Sequence, residues 1–415
     1  MKVSHHEIAP ATTFDRSRAT WALALLALCA GFAQFGAVAS LADVAAHFGR
    51  VSASSSLVAR VGLSGTTLGV GLAVLRIASL GALPLASLAD RWGRRRVVAH
   101  SLWWGLAITA VAALSPNYWF FVACFALGRP MLSSASALVQ VMAVELSSTA
   151  TRVGRLAMVA GGAGAGAGLA AIVHGAIRSP GAFRWLFALA LVPIVVVGPL
   201  LTWIPEPATR DRERLARVGR VAAEYRGSLW RVATMVGVLG MIGGPANGFV
   251  FVYGESVLHI APSRVALLVS FAALTGLAGL WLSRSLARRW GRRVTVAIGV
   301  VAAGVTASVA YGGGVSLFVV GYLSGVAAAG LVTPVLTALS TEIFPHHVRA
   351  TAAGWLVVAG VVGATAGLAL FGAVGDAGHS TTTGLRVAAL VTFLPLLWTV
   401  VFLRRLPESD HGDII

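Results

Sequence analysis

The sequence predicts an all-α membrane protein whose twelve transmembrane helices form two related halves of six helices each. The 415 residues are 57% hydrophobic and only 11% charged, whereas a soluble domain has about 25% charged residues. Twelve apolar segments approach the length of about 20 residues that spans a bilayer. Two unrelated motifs also recur half a chain apart, which indicates an internal duplication. These three observations predict the fold together.

The repeated motifs keep nearly the same spacing. The motif DRWGRRR that begins at Asp90 recurs as RWGRR from Arg289, with its tryptophan 198 residues later. Glu145 and Arg152 each recur 197 residues later. Because two motifs share one shift, the second half of the chain is predicted to repeat the structure of the first.

The apolar segments divide into six before and six after a long polar stretch. The first is longer than the apolar core of a signal peptide, roughly 7–15 residues, so we expect it to be retained. The predicted transmembrane segments are 20–42, 64–88, 97–114, 119–143, 153–177, 183–204, 229–253, 263–282, 294–311, 315–340, 350–374 and 384–403. The predicted organisation is a cytoplasmic tail at 1–19, an N-terminal half at 20–204, a cytoplasmic linker with an amphipathic helix at 205–228, a C-terminal half at 229–403 and a cytoplasmic tail at 404–415.

Charge predicts the orientation in the membrane. The net charge of +17 comes almost entirely from arginines, which cluster in polar breaks between apolar segments. Cytoplasmic loops carry an excess of Lys and Arg, and a cytoplasmic N-terminus puts most of the 32 basic residues on that side. We therefore expect both termini in the cytoplasm and no nucleic-acid binding. Cys29 and Cys124 lie singly in apolar segments, so neither a disulfide nor a metal site is expected.

Glycines cluster in particular segments, at 161–168 in the fifth and at Gly363 and Gly367 in the eleventh. Small residues four apart let helix backbones approach closely in lipid. We expect these glycines to form close contacts between the two halves. Residues 210–227 carry apolar side chains at near-helical spacing among many charges, which predicts the amphipathic linker helix. A solvated linker is the alternative.

The loop motifs resemble those of the major facilitator superfamily. Residues 86–95 read ASLADRWGRR, similar to the family pattern G-x-x-x-D-R-x-G-R-R, and residues 342–349 read EIFPHHVR. The sixth and twelfth segments end in Pro-Glu, at 205–206 and 407–408. These motifs are most similar to the sugar-porter and metabolite-symporter type. The resemblance implies a secondary transporter that works by alternating access. The fifth segment lacks the Gly-Pro signature of many proton-coupled drug antiporters.

Two arginines lie deep in predicted helices. Arg76 comes 14 residues before Asp90, and Arg129 comes 16 residues before Glu145, which is roughly 21 and 24 Å at 1.5 Å per residue. A charge at such depth costs about 3 kcal/mol unless it has a partner or a wet cavity. All 15 acidic residues fall in loops or near segment ends. Both arginines are therefore candidates to bind an anionic solute; a packing role is the alternative.

Four uncharged polar residues complete the predicted substrate site. Gln34 and Asn247 occupy matching places in the first and seventh segments, where an amide can bind solute or join helices. Gly243-Gly244-Pro245 should interrupt the seventh helix and expose backbone groups near Asn247. Tyr253 and Tyr322 are further candidates, although anchoring at the membrane interface suits Tyr253 equally.

Charged residues at the cytoplasmic ends of the helices predict a gate. Resemblance to the family implies that they hold the inner side closed when the cavity faces outward. The predicted gating residues are Asp90, Arg94, Glu145, Arg152, Glu342 and Arg349. The alternative is that they only set topology. Asp43, Glu255 and His174 lie near outer ends and are candidates for proton coupling.

The predicted function is secondary active transport of a small organic anion, with a coupled proton, across a bacterial cytoplasmic (inner) membrane. Drug or toxin efflux and a non-transporting receptor or scaffold are the alternatives. The expected partners are a small-molecule substrate, protons and the lipid bilayer, and we expect a monomer without cofactor or metal. No catalytic or nucleotide-binding grouping predicts an enzyme.

Overall fold

The computed structural model describes residues 13–51, 57–148, 151–177, 181–205, 223–378 and 381–393. Within these ranges the regular structure is entirely helical. Eleven helices are long and apolar enough to cross a membrane, and a shorter apolar helix covers Thr383–Thr392. The predicted all-α membrane fold is therefore confirmed. The predicted amphipathic linker helix falls mostly on residues 206–222, outside the described part.

The described part of the N-terminal half contains ten α-helices, of which several are pieces of one transmembrane segment. They are α1 (Thr13–Ala39), α2 (Leu41–Phe48), α3 (Leu57–Val61), α4 (Gly65–Ala78), α5 (Ala82–Trp92), α6 (Arg94–Val111), α7 (Tyr118–Glu145), α8 (Arg152–Ala176), α9 (Ala182–Ala188) and α10 (Leu191–Thr202). The second segment is divided into α4 and α5 by a 3-10 turn at Ser79–Gly81, and a second 3-10 turn, Ala112–Leu114, follows α6.

The C-terminal half is built from longer, less divided helices. They are α11 (Ala223–Gly248), α12 (Pro262–Trp290), α13 (Arg292–Ala310), α14 (Val315–Ile343), α15 (His346–Ala377) and α16 (Thr381–Phe393). The predicted interruption of the seventh segment at Gly243-Gly244-Pro245 is wrong. α11 continues to Gly248, and the Pro245 carbonyl oxygen accepts hydrogen bonds from the Phe249 N at 3.0 Å and the Tyr311 hydroxyl at 3.1 Å. The chain bends only at Phe249 and then forms a π-helix, Val252–Val257.

The glycine of the repeated loop motif has the same role in both halves. Gly93 joins α5 to α6 with φ of 89°, and Gly291 joins α12 to α13 with φ of 80°. A side chain is strained at these angles, so only glycine turns the chain there at low cost. We call the end of the bundle that carries these motifs the arginine-rich end and the other the opposite end.

Glycine seams hold each half together in the same way. A Cβ on Gly162 or Gly166 of α8 would collide with the carbonyl oxygen of Ala24 or Leu28 of α1. In the C-terminal half, a Cβ on Gly363 of α15 would collide with the Gly237 carbonyl oxygen of α11, and Gly367 faces Met241 likewise. Our expectation that these glycines join the two halves is therefore wrong for these positions. They pair the first segment with the fifth, and the seventh with the eleventh.

A different set of contacts joins the halves. α4 packs along α15, and α8 packs along α12. A Cβ on Gly69 would collide with the Leu368 carbonyl oxygen, and a Cβ on Gly175 would lie 2.8 Å from the Ser263 Cα. These positions lie toward the opposite end of their helices, so the halves are held together at that end.

Candidate substrate site

Arg76 lies on the face of α4 that turns toward the C-terminal half. Leu72 on this face lies 3.1 Å from the place that a Cβ on Gly248 would take. Arg76 follows Leu72 by four residues, so it shares the face, one helical turn nearer the arginine-rich end. The Ser79 hydroxyl donates to the Arg76 carbonyl oxygen at 2.6 Å, where α4 gives way to the 3-10 turn. Arg76 therefore stands where the close contact between the halves ends.

Arg129 lies at the same depth on α7. Each arginine comes eleven residues after the first residue of its helix, Gly65 for α4 and Tyr118 for α7. The two helices approach beside them, since a Cβ on Gly81 would lie 3.0 Å from the Pro130 Cβ. Arg76 and Arg129 thus lie at one depth in neighbouring helices, and their convergence on one substrate cavity stays a prediction.

The guanidinium of Arg129 is only partly satisfied by protein. Its Nη1 donates to the Gln34 carbonyl oxygen of α1 at 3.1 Å. Its Nε is buried without a hydrogen-bond partner in the described part of the chain. A buried N–H donor without an acceptor is costly, so the site is suited to receive an anionic acceptor.

Gln34 connects α1 to α7. Its Nε2 donates to the Leu132 carbonyl oxygen at 3.2 Å and to the Ser136 Oγ at 2.9 Å. The Ser133 hydroxyl donates to its Oε1 at 3.4 Å. Since both ends of the amide are engaged, the geometry favours a helix-joining role for Gln34 over solute binding.

A cavity of about 280 Å³ opens between α11, α13 and α14; we call it the α11–α14 slot. Asn247 of α11 and Ala329 and Thr333 of α14 line it and are exposed although they lie in transmembrane helices. Tyr322 also lines it, and its hydroxyl donates to the Asn247 Oδ1 at 3.4 Å. The structure thus brings the predicted pair Asn247 and Tyr322 together in one cavity.

Tyr253 is not among the described residues that line the slot. It is 1% exposed, and its ring packs 4.8 Å from that of Tyr311 and 5.5 Å from that of Phe318, measured between centroids. The π-helix after Phe249 turns it behind the slot wall. Because Tyr253 is buried inside the protein, the alternative prediction that it anchors the protein at the membrane interface is also wrong. Tyr311, which lines the slot directly, was missed because tyrosine at a helix end carries no signal in sequence that separates lining from core.

The structure pairs two of the six predicted gating residues. Arg94, at the start of α6, forms a salt bridge with Glu145, at the end of α7. Arg349 donates from Nε to the Phe344 carbonyl oxygen at 3.4 Å. The backbone of the other three residues is helical, and their side chains lie outside the described part. They are Asp90, Arg152 and Glu342.

An acidic residue that the sequence reading missed joins the halves at the opposite end. Asp376 of α15 accepts hydrogen bonds from the Gly65 N at 2.7 Å, the Thr66 N at 2.8 Å and the Thr66 hydroxyl at 2.6 Å. It thereby caps the N-terminus of α4 from the other half, where a negative charge is favoured. Its partners are mostly backbone groups, which leave no trace in a sequence.

The three predicted proton-coupling residues have different surroundings. Asp43 accepts a hydrogen bond from the Phe183 N at 2.9 Å and so caps α9 within the N-terminal half. His174 of α8 and Glu255 of the π-helix face each other across the halves at 3.5 Å. Burial raises the pKa of the Glu255 carboxyl, the hydrogen bond and charge of His174 lower it in part, and the charge of Asp43 raises it further.

Solved transporter structures share this architecture. A bacterial homologue of the human lysosomal transporter Spinster, in an inward-facing and occupied conformation, has a TM-score of 0.75 with 15% sequence identity over 95% of this chain and 97% of its own. The xylose transporter XylE from E. coli, in an inward-open conformation, has a TM-score of 0.67 with 18% identity over 94% of this chain and 96% of its own. At these identities the likeness shows the fold.

Sequence comparison extends the likeness. A gentisate transporter of Corynebacterium glutamicum is 24% identical over 331 residues, which cover 75% of this chain and 73% of the relative. The family model described as Major Facilitator Superfamily matches residues 23–367 and 255–413. Transporters of small solutes, and not enzymes, make up this family. The chain, a multi-pass membrane protein of two six-helix halves, belongs to the Major Facilitator Superfamily.

Proposed function

We propose that this protein is a secondary active transporter that carries a small organic anion by alternating access. The observation that supports it most is the placement of Arg76 and Arg129 at one depth in neighbouring helices, without an acidic residue at that depth in the sequence. Two such cations are stable in a bilayer only with a wet cavity or a counter-charge. An organic anion supplies that counter-charge, and the guanidinium fork suits a carboxylate.

The similar gentisate transporter also supports a negatively charged substrate. Gentisate is a dihydroxybenzoate and carries a carboxylate at neutral pH, and the C. glutamicum relative is a gentisate transporter. At 24% identity this relative does not fix the substrate. It agrees with an anionic substrate independently of the arginines.

Alternating access follows from the distribution of contacts. The halves are joined at the opposite end by the α4–α15 and α8–α12 seams and by Asp376. Release of these contacts, with closure at the arginine-rich end, would expose the site to the other side. Because cytoplasmic loops carry an excess of Lys and Arg, we assign the arginine-rich end to the cytoplasmic side of a bacterial cytoplasmic membrane. The state with the opposite end closed then faces inward. We take the monomer as the working unit.

We further propose that a proton is coupled through His174 and Glu255. His174 is buried, and the Glu255 side chain is 10% exposed, at the seam that must open; an open state would hydrate them. Protonation of Glu255 is then easier in the closed state than in the open state, because burial raises its pKa. Asp43 is engaged in capping and acts on Glu255 only through its charge.

Anion transport by reconstituted protein tests the proposal. In proteoliposomes we expect uptake of radiolabelled gentisate that rises when the lumen is made alkaline. Arg129→Gln and Arg76→Gln should each lower uptake by roughly 10- to 150-fold, since a hydrogen bond to a charged group contributes about 1.5–3 kcal/mol. Arg264→Gln, at an exposed arginine at the start of α12, is the matched control and should transport normally.

Normal transport of gentisate by both site variants would contradict the proposal. So would extrusion of cationic dyes by the intact protein without any transport of carboxylates. Folding of each variant is checked by its thermal unfolding in detergent before the flux is interpreted.

A further inference from the structure

We infer that the transported solute is a small arenecarboxylate, a single aromatic ring bearing a carboxylate, whose ring occupies the α11–α14 slot while its carboxylate meets Arg129 and Arg76. The inference rests on the proposed function. The proposed function gives the sign of the solute's charge, and the ring gives the chemistry of its uncharged part.

The internal repeat shows how the two halves differ at this depth. The shift of 197 residues that relates α7 to α14 brings Tyr118 onto Val315, the first residue of each helix. The same shift brings Arg129 onto Val326, and Val326 lines the slot. The N-terminal half therefore holds a cation tied to α1, where the C-terminal half holds a valine and an open space. A solute that satisfies both halves needs a charged end and an apolar body.

The slot walls suit a flat ring. The rings of Phe318 and Tyr322 stack with centroids 6.3 Å apart and planes 27° apart, and Tyr311 lines the slot beside them. The Tyr311 hydroxyl donates to the Pro245 carbonyl oxygen and the Tyr322 hydroxyl to Asn247. Because both hydroxyls are engaged with protein, the tyrosines present ring surface, which favours edge-to-face or offset contact with another ring.

The polar groups of the slot are few and lie at its margin. Asn247 and Thr333 are exposed and already bonded to protein: Asn247 Nδ2 donates to the Gly243 carbonyl oxygen at 2.9 Å, and the Thr333 hydroxyl donates to the Ala329 carbonyl oxygen at 2.8 Å. Within the described part of the chain, one amide hydrogen of Asn247 and a lone pair of its oxygen are left to meet a polar group on a solute. The remaining lining is formed by small and aliphatic residues of α11, α13 and α14. A sugar would leave most of its hydroxyls without partners there, which costs affinity.

The volume suits a small aromatic solute. A cavity of about 150 Å³ holds one benzene molecule, and drug-sized ligands occupy roughly 300–1,000 Å³. The slot, at about 280 Å³, therefore has room for a phenyl ring with substituents and lies just below the range of drug-sized ligands.

Thermal stabilisation of the purified full-length protein, at one fixed pH, tests the inference with three probes. Benzoate has ring and charge, acetate has charge alone, and benzamide has the ring alone. We expect benzoate to stabilise at a concentration about tenfold or more below that of acetate, which is about 1.4 kcal/mol. Benzamide should be weaker than benzoate.

Two variants locate the ring. Ala329→Phe should fill the slot and remove the preference for benzoate over acetate. Val320→Phe adds the same ring to the same helix at an exposed position outside the described slot lining, and should keep the preference. Thr333→Phe at the slot margin serves in place of Ala329→Phe if that variant does not fold.

The outcomes separate this inference from the proposed function. Equal effects of benzoate and acetate, or a preference that survives the slot-filling variant, would overturn the arenecarboxylate while leaving anion transport intact. Stabilisation by neither benzoate nor acetate would overturn both.

Discussion

At the scale of single residues, the proposed substrate site depends on a guanidinium whose hydrogen-bond donors are only partly satisfied by protein groups. Arg129 has one protein acceptor, the Gln34 carbonyl oxygen, and a buried Nε without any in the described part. Sequence alone located both arginines, because a charge that interrupts an apolar segment is rare. It did not separate Gln34 from Asn247, since an amide that joins helices and one that meets solute look alike until their partners are known.

Replacement of Gln34 by leucine distinguishes these two roles. Gln34→Leu removes the side-chain hydrogen bonds between α1 and α7, so we expect the free energy of unfolding to fall by about 1–2 kcal/mol. Affinity for benzoate should change less than threefold or so, because Arg129 bonds to the backbone of residue 34. Thermal unfolding and ligand titration measure the two effects. A large loss of affinity with unchanged stability would instead place the amide in contact with solute.

At the scale of helices, the seams form where glycines, which have no side chain, let two helix backbones approach closely. Glycine spacing predicted close approach correctly, but it did not predict which helix would be the partner. In α8, Gly162 and Gly166 face α1, whereas Gly168 and Gly175 face α12. One helix therefore has both a fixed seam within its half and a second seam that must separate during transport. Spacing along a chain does not encode that difference.

The cap on α4 is the contact that most directly favours the closed opposite end. Asp376→Asn removes the charge and one acceptor, and we expect the closed state to lose about 1 kcal/mol, a shift of about fivefold toward the state open at that end. Distances between spin labels at Val58 of α3 and Arg264 of α12, both exposed, report the shift. Asp376→Glu keeps the charge and is the control. An unchanged distance distribution in Asp376→Asn would show that the cap does not set the equilibrium.

The contact between His174 of α8 and Glu255 of the π-helix predicts that closure of the opposite end depends on pH. Burial raises the pKa of Glu255 in the closed state, so the closed state binds the proton more tightly than an open, hydrated state. Acidification through the raised pKa should therefore favour closure, and the advantage is lost as the pH rises above it. Glu255→Gln should abolish this dependence in the same label distances. A pH response that persists in Glu255→Gln would assign the proton elsewhere.

At the scale of the whole molecule, the duplication was the most informative feature of the sequence. It predicted two halves of six helices, and Gly93 and Gly291 show the two copies of the loop motif with the same backbone geometry. The proposed substrate site depends on where the copies differ, as at Arg129 and Val326. A repeat predicts which positions of the two halves are equivalent. Where the residues at equivalent positions differ, their roles follow only from their side chains and the space around them in the structure.

Exchange of the charges at the arginine-rich end tests the predicted gate. Arg94→Glu alone should break the ion pair with Glu145 and lower transport, because like charges then face each other across neighbouring helix ends. The double variant Arg94→Glu with Glu145→Arg restores opposite charges and should recover a substantial part of the rate. Proteoliposome flux measures both. Equal loss in the single and double variants would assign these residues to topology and not to the gate.

The cap on α4 also restricts how the protein can diverge. Two of the three donors that Asp376 engages are peptide N–H groups, and every residue type except proline supplies an identical one. Descendants of this sequence can therefore change the side chain at position 66 without removing either donor, whereas a Cβ at position 65 would lie 2.8 Å from the Gly372 carbonyl oxygen. Within the cap, a change of side chain at residue 376 is thus the one that alters closure of the opposite end most directly.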